Sequence, residues 1–306
     1  MNSNTKQLIQ QVLSRVISTP IPIRWRSSQV MAGGGDRRSF SKGSNGYDIQ
    51  ARVEYEPGDD PRDIDWAATA QTGGQSMYIT QYMEPRDLKV FVLVDVNPSM
   101  DFGTHRTSKR ILSAELAGSI VKSAQETHDQ VGYITYGKDR IVSSRRPMSA
   151  SRALFPVIAS TIEDEGTARG EDQSSGLLKA LGSLPRKRSL VYLLSDFLSL
   201  TDDEKRALKR ASVLHDVVLV VVQDKREREL PDGWGLYTLA DLSTGARRSV
   251  WLSRRTRAQF AERSQSRQAE LIAFIESIHC QYAVFSTEEG REALNKVMRL
   301  FGGHKK

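Results

Sequence analysis

Leu88-Lys89-Val90-Phe91-Val92-Leu93-Val94-Asp95-Val96-Asn97-Pro98-Ser99-Met100 decides the fold. The apolar run from Val90 to Val94 is short and rich in β-branched residues. It predicts a strand covered on both faces, as strands of parallel sheets are. The strand ends on an acid, and Asp95, Asn97 and Ser99 then place oxygen-bearing side chains at alternate positions. In open α/β sheets ligands sit beyond the carboxyl ends of strands, so function is sought here first.

Working outward, helical and strand patterns alternate. Residues 108–127 predict a helix with Ile111, Leu112, Leu116, Ile120 and Val121 inward, and 131–136 a strand. Helices follow at 151–163 and 174–182, a strand at 190–195, a helix at 202–214 and a strand at 217–222. The expectation is an α/β, Rossmann-type, mainly parallel sheet with helices on both faces. Strand pieces at 236–240 and 250–252, a helix at 254–278, a strand at 281–285 and a helix at 288–301 are expected to complete it. Upstream, 51–55 and 77–82 alternate as half-buried strands do around an acidic turn. Residues 4–17 carry a helical stripe of Leu8, Ile9, Val12, Leu13, Val16 and Ile17, stopped by Pro20 and Pro22. Residues 31–46, rich in Gly, Ser and basic residues, read as a linker. Three parts result: a basic helix and arm (1–43), a strand and acidic-turn extension (44–87) and the α/β domain (88–306).

Of the 306 residues 39% are hydrophobic and 26% charged, as in a globular protein. No apolar run is long enough to cross a membrane, and no secretory pattern opens the chain. The single cysteine, Cys280, excludes an internal disulfide framework, and the cytoplasm is the expected compartment. The net charge of +7 would suggest nucleic acid, but residues 1–43 hold seven Lys/Arg and one acid. The remainder is almost neutral and lacks a basic aromatic stacking face, so nucleic acid is not the expected partner.

Asp95, Asn97 and Ser99, with Asp196 at the end of a second strand, offer hard oxygen donors suited to magnesium, manganese or calcium. The other role for Asp95 and Asn97 is to cap the turn that follows. Asp95-x-Asn97-x-Ser99 resembles the Asp-x-Ser-x-Ser element of the von Willebrand factor A metal-ion-dependent adhesion site. Asp196 matches that family's third loop, and Ser175 falls where its Thr stands, with Ser174 and Thr167 nearby. Asn97 and Ser175 depart from the family's Ser and Thr but can still donate oxygen.

The chain is also similar to the domain of unknown function 58 family. Tyr55-Glu-Pro-Gly-Asp59-Asp60-Pro-Arg62-Asp63-Ile-Asp65-Trp66 carries the resemblance, with Asp95 to Gly103, Asp129-Gln-Val-Gly132 and Ser195-Asp196-Phe197. The resemblance covers about residues 43–300. It implies a von Willebrand factor A-like domain and, as partners, a MoxR-type AAA+ ATPase and a client protein being matured or remodelled. In the acidic block Asp59, Asp60, Asp63 and Asp65 surround Arg62, and Trp66 is an expected apolar anchor. A salt-bridged clamp is the simpler role; a second cation or partner site is the other.

Signals for catalysis are poor. The five histidines are scattered without the i, i+4 pairing of a zinc helix, and no Gly-x-Ser-x-Gly elbow or Walker loop occurs. Residues 224–229 read as a solvated loop. The expectation is a non-catalytic, divalent-metal-dependent protein-binding module. A metal-dependent hydrolase using the same carboxylates is the alternative.

Overall fold

The computed structural model describes residues 3–18, 38–42, 48–55, 61–71, 73, 76–85, 89–104, 107–126, 128–163, 175–198, 200–240 and 247–288. In chain order the elements begin with α1 (Ser3–Ser18), β1 (Arg38–Lys42), β2 (Asp48–Glu54), α2 (Trp66–Gln71) and β3 (Tyr78–Pro85). Next come β4 (Lys89–Asp95), α3 (Lys109–Glu126), β5 (Gln130–Tyr136), β6 (Ile141–Ser149), α4 (Ala150–Ile162) and α5 (Gly176–Gly182). Then follow β7 (Leu190–Ser195), α6 (Asp202–Leu214), β8 (Asp216–Gln223), α7 (Lys225–Arg228), β9 (Gly235–Ala240) and β10 (Arg247–Leu252). The last two are α8 (Arg254–Ser277) and β11 (Gln281–Ser286).

Alternation along β4 explains the layering. Val90, Val92 and Val94 join Leu116, Ile120 and Val157 in a core on one face, covered by α3 and α4. Phe91 and Leu93 point the other way, into a core with Leu177, Leu208 and Ile275 from α5, α6 and α8. The expected doubly wound sheet is present. Its order is β11-β8-β7-β4-β5-β6, parallel throughout except for β6, which runs antiparallel to β5. Numbered within the sheet alone, that order is the Rossmann 3-2-1-4-5-6. The strand sequence reverses between β4 and β7, so the crevice lies where Asp95 and Ser195 end their strands.

Two expectations change here. The pieces around 236–252 do not complete the sheet; β9 and β10 pair only with each other, as a hairpin. Its Trp234 and Trp251 are exposed and meet edge to face with centroids 5.2 Å apart. β6 was not expected, because its polar sequence lacks an apolar run.

The division of the chain also differs from the one expected at residue 43. Contacts group Met1–Trp25 with Leu88–Lys306, while Arg26–Asp87 forms a unit of its own. The reason is α1: Ile9, Val12 and Val16 pack with Ala114, Ile158 and Ile162 of α3 and α4, and Arg15 bonds Glu115 at 2.7 Å. In the other unit β1, β3 and β2 form an antiparallel sheet. β1 thus lies inside the stretch expected as linker. The helix expected at 288–301 lies, from 289 on, outside the described residues.

Removing buried methylenes from α1 tests its place in the core. Ile9→Ala, at a side chain 1% exposed, is expected to lower the unfolding free energy by about 2–5 kcal/mol. Chemical denaturation checks it, and an unchanged midpoint contradicts the packing.

Candidate functional site

The carboxyl ends of β4 and β7 bring Asp95, Ser195 and Asp196 together, all nearly buried. Ser195 donates its hydroxyl to Asp95 Oδ2 at 2.7 Å, and the Asn97 amide donates to Oδ1 at 2.8 Å. Asp95 therefore does turn the chain back on itself, as the capping role required. Asn97 does not cap: it precedes the 3-10 turn Pro98–Asp101 with no side-chain bond to it. Its Oδ1 is buried without a hydrogen-bond partner among the described residues. Ser99 lies buried within that turn. Ser175 is positioned differently. It accepts from Leu177 N at 3.2 Å, capping α5, and donates to Glu204, which also closes the capping box of α6 with Thr201. Gly176 explains how α5 comes so close to the β5–β6 connection: a Cβ there would stand 2.0 Å from the Gly137 carbonyl oxygen. Ser174 and Thr167 lie outside the described residues.

The first turn of α3 clamps both acidic ends. Lys109 is fully buried; its ammonium donates to Asp196 Oδ2 at 2.8 Å and to Glu227 on α7. Arg110 donates to the Val96 carbonyl at 3.0 Å and to Asp101 at 2.9 Å, pinning the loop that carries Asn97 and Ser99. Neither cation was singled out from sequence. The signal was there: positive residues opening a helix oppose its dipole and call for specific acidic partners. Residues 224–229 are also not a solvated loop. Asp224 is fully buried and accepts from Thr104 Oγ1 at 2.7 Å and Thr287 Oγ1 at 2.6 Å. Burial alone would raise its pKa, but these bonds hold it below the ordinary value.

Electrostatically the site is short of positive charge. Burial first, then the neighbouring Asp196 charge, raise the Asp95 pKa to about 7. Burial also raises Glu227, which Lys109 offsets in part. Tyr136, register partner of Asp95, has its hydroxyl buried beside Asp95 and Ser195. Burial, followed by Asp95, raises its pKa. After Asp196, Phe197 sits at φ 49°, a left-handed conformation that bulky residues rarely adopt and that functional turns store.

Would a divalent ion fit? Among the described residues no three carboxylates, imidazoles or thiols gather around one point. The donors at the switch point are instead mixed: Asp95, the unpartnered Asn97 oxygen, the Ser99 hydroxyl and Asp196, already shared with Lys109. Such a set suits a hard cation that keeps several waters. The buried, unpartnered amide oxygen is the observation in favour.

The acidic block contributes little that can be placed here. Asp59 and Asp60 lie outside the described residues, as does the side chain of Asp63, which ends the 3-10 turn Pro61–Asp63. Arg62 is exposed. Asp65 accepts from Ala68 N at 3.0 Å, capping α2. Trp66, expected as an apolar anchor, is the first residue of α2 and 66% exposed, so it anchors nothing among the described residues.

Residues 50–270 match the family model described as protein of unknown function DUF58. The chain belongs to the DUF58 family. An uncharacterized protein of Mycobacterium bovis is 26% identical to this DUF58 chain over 274 residues, 89% of this chain and 84% of the relative. An aerotolerance-related membrane protein from Bacteroides fragilis, 13% identical, superposes with a TM-score of 0.39, covering 70% of this chain and 98% of the other. A von Willebrand factor type A structure from Catenulispora acidiphila, also 13% identical, gives 0.33, covering 73% and 45%. These likenesses are loose, and the strand order by itself makes the sheet Rossmann-type and doubly wound. No helix among the described residues is long and apolar enough to cross a membrane.

Asp95 gives the site a pH signature. Unfolded, this carboxyl takes its proton only below about 4, whereas folded it does so up to about 7. Between those values the folded state holds the extra proton, so stability from this group falls as pH rises. In chelator, Asp95→Asn is expected to gain about 2–4 kcal/mol on the wild type between pH 4.5 and 7.5. Parallel pH dependences in denaturant titrations contradict it.

Proposed function

We propose that this DUF58 chain is a non-catalytic protein-binding module whose docking edge is the β4–β7 switch point, completed by a divalent cation, magnesium first. Asp95, Asn97 and Ser99 would hold the ion, with Asp196 and Ser175 bordering the site. When bound, the ion supplies a positive centre that a partner's carboxylate can complete. The chain's own residues do the rest. Ser195 and the Asn97 amide orient the Asp95 carboxylate, Arg110 holds the loop, and Lys109 keeps Asp196 in place. The single observation that carries this reading is the buried Asn97 Oδ1 without a partner, beside a carboxyl that burial and a neighbouring acid push up to about 7. Leaving such an acceptor unsatisfied costs about 1–3 kcal/mol, which a ligand recovers.

The resemblance to DUF58 proteins supports a MoxR-type AAA+ ATPase as the working partner, acting with this chain on a client. The hydrolase alternative has less support. Asp95 and Ser195 do not line the cavity described at this edge, and no Walker-type glycine loop occurs in the sequence.

Binding of a purified MoxR-type ATPase from the same organism, measured by calorimetry, tests this. Binding is expected in millimolar magnesium, to weaken at least about tenfold in chelator, and to weaken alike in Asn97→Ala. Equal affinity with and without magnesium defeats the metal-dependent reading; phosphoester turnover lost in Asp95→Ala would replace it with the hydrolase.

A further inference from the structure

Beside the switch point a second feature opens between the carboxyl ends of β7 and β8 and helix α8. It is a cavity of about 270 Å³. Phe197, Leu198, Leu271 and Phe274 give it an apolar wall. Its charges are uneven. Asp196 and Glu227 border it but share the buried Lys109 ammonium. Lys205, Arg228 and Arg267 also border it, and none is in an ion pair with another described residue; Glu270 and the negative charge that Lys109 leaves over on the Asp196–Glu227 pair oppose these three cations. Among the described residues Lys205 meets the Phe274 ring, 6.0 Å from its centroid.

Two of the cavity's polar atoms are buried and unsatisfied among the described residues. Gln223 Oε1 is an acceptor without a donor, and Arg228 Nε a donor without an acceptor. Buried polar groups are nearly always paired, so two orphans of opposite kind on one cavity describe the ligand that is wanted. It must offer one N–H, one anionic acceptor and an apolar body. A phosphate lacks the apolar body and the N–H. A hydrocarbon leaves both orphans unmet, and an amine adds a cation where cations already outnumber the acids opposing them.

We propose that this cavity captures the C-terminal residue of a partner polypeptide. The α-carboxylate is taken by Arg228 and Arg267, the residue's N–H donates to Gln223 Oε1, and a large aliphatic side chain packs against Leu271 and Phe274. Carboxylate capture by convergent donors is an established mode of peptide recognition, and charge-assisted bonds to Arg are its stronger form. The inference deepens the reading of this edge as a protein-binding surface, but it uses side-chain cations and not a metal. Chelator therefore separates the two: peptide capture persists in it, while binding at Asp95 does not.

The test uses the full chain in chelator and a fluorescein-labelled pentapeptide ending in leucine, either as the free acid or as the C-terminal amide. Anisotropy is expected to show saturable binding of the acid and at least about tenfold weaker binding of the amide. Arg267→Gln, at an exposed position of α8, is expected to weaken the acid at least about fivefold with no change in melting temperature. A peptide ending in glycine is expected to bind more weakly than the leucine peptide. Equal affinity for acid and amide overturns the proposal, as does absence of binding at millimolar peptide.

Discussion

A single ammonium group, Lys109 Nζ, ties the working edge of this protein together. It is closed off from water and held between Asp196 and Glu227, so it joins the first turn of α3 to the end of β7 and to α7. Desolvating three charges is expensive and contributes little net stability compared with an apolar replacement. Removing one partner, however, leaves an uncompensated charge inside the protein, at about 3–5 kcal/mol. The triad therefore constrains geometry more than it strengthens the fold. Through the same turn, Arg110 fixes the Val96–Asp101 loop, so Asn97 and Ser99 depend on α3 as much as on their own strand.

That one ammonium also fixes the local balance of charge. It is shared by Asp196 and Glu227, whose two charges it offsets only in part, and leaves Asp95, a buried carboxyl on the neighbouring strand, without an ion-pair partner among the described residues. The result is a pKa raised to about 7 and an unpartnered amide oxygen next to it. On the other side of Asp196 the imbalance reverses, where Lys205, Arg228 and Arg267 border the cavity against Glu270. The sheet edge thus has an electron-rich side and a cation-rich side, divided by the Lys109 triad.

Much of the fold could be read from residues alone, because buried parallel strands leave continuous apolar runs. Val90–Val94 and Val217–Val222 are such runs, and both form interior strands of the sheet. β6 escaped notice because it is an edge strand, Ile-Val-Ser-Ser-Arg-Arg-Pro-Met-Ser, half-buried at most and carrying a proline that only an edge tolerates. The hairpin β9–β10 reads as two ordinary strands, and nothing in short alternating segments says which sheet they join. The stripe on α1 was plain, but what covers it depends on Ala114 and Ile158, more than ninety residues away. At the site, Asp95 and Asp196 were legible through the rule that ligands gather at strand ends. That Lys109, opening α3, needs an acid was legible too; that it meets Glu227 was not, since their meeting depends on how α3 crosses the sheet. Nothing in the residues around Ser195 foretells its partner, Asp95, which reaches it across the switch point.

The claim that this edge is a cation site is most directly tested with manganese as a paramagnetic stand-in for magnesium, in amide-resolved NMR of the full chain. The account predicts selective broadening of residues 95–100 and 195–198, reversed by excess magnesium and absent in Asp95→Ala. Broadening elsewhere, or broadening at these residues that survives Asp95→Ala, would contradict it.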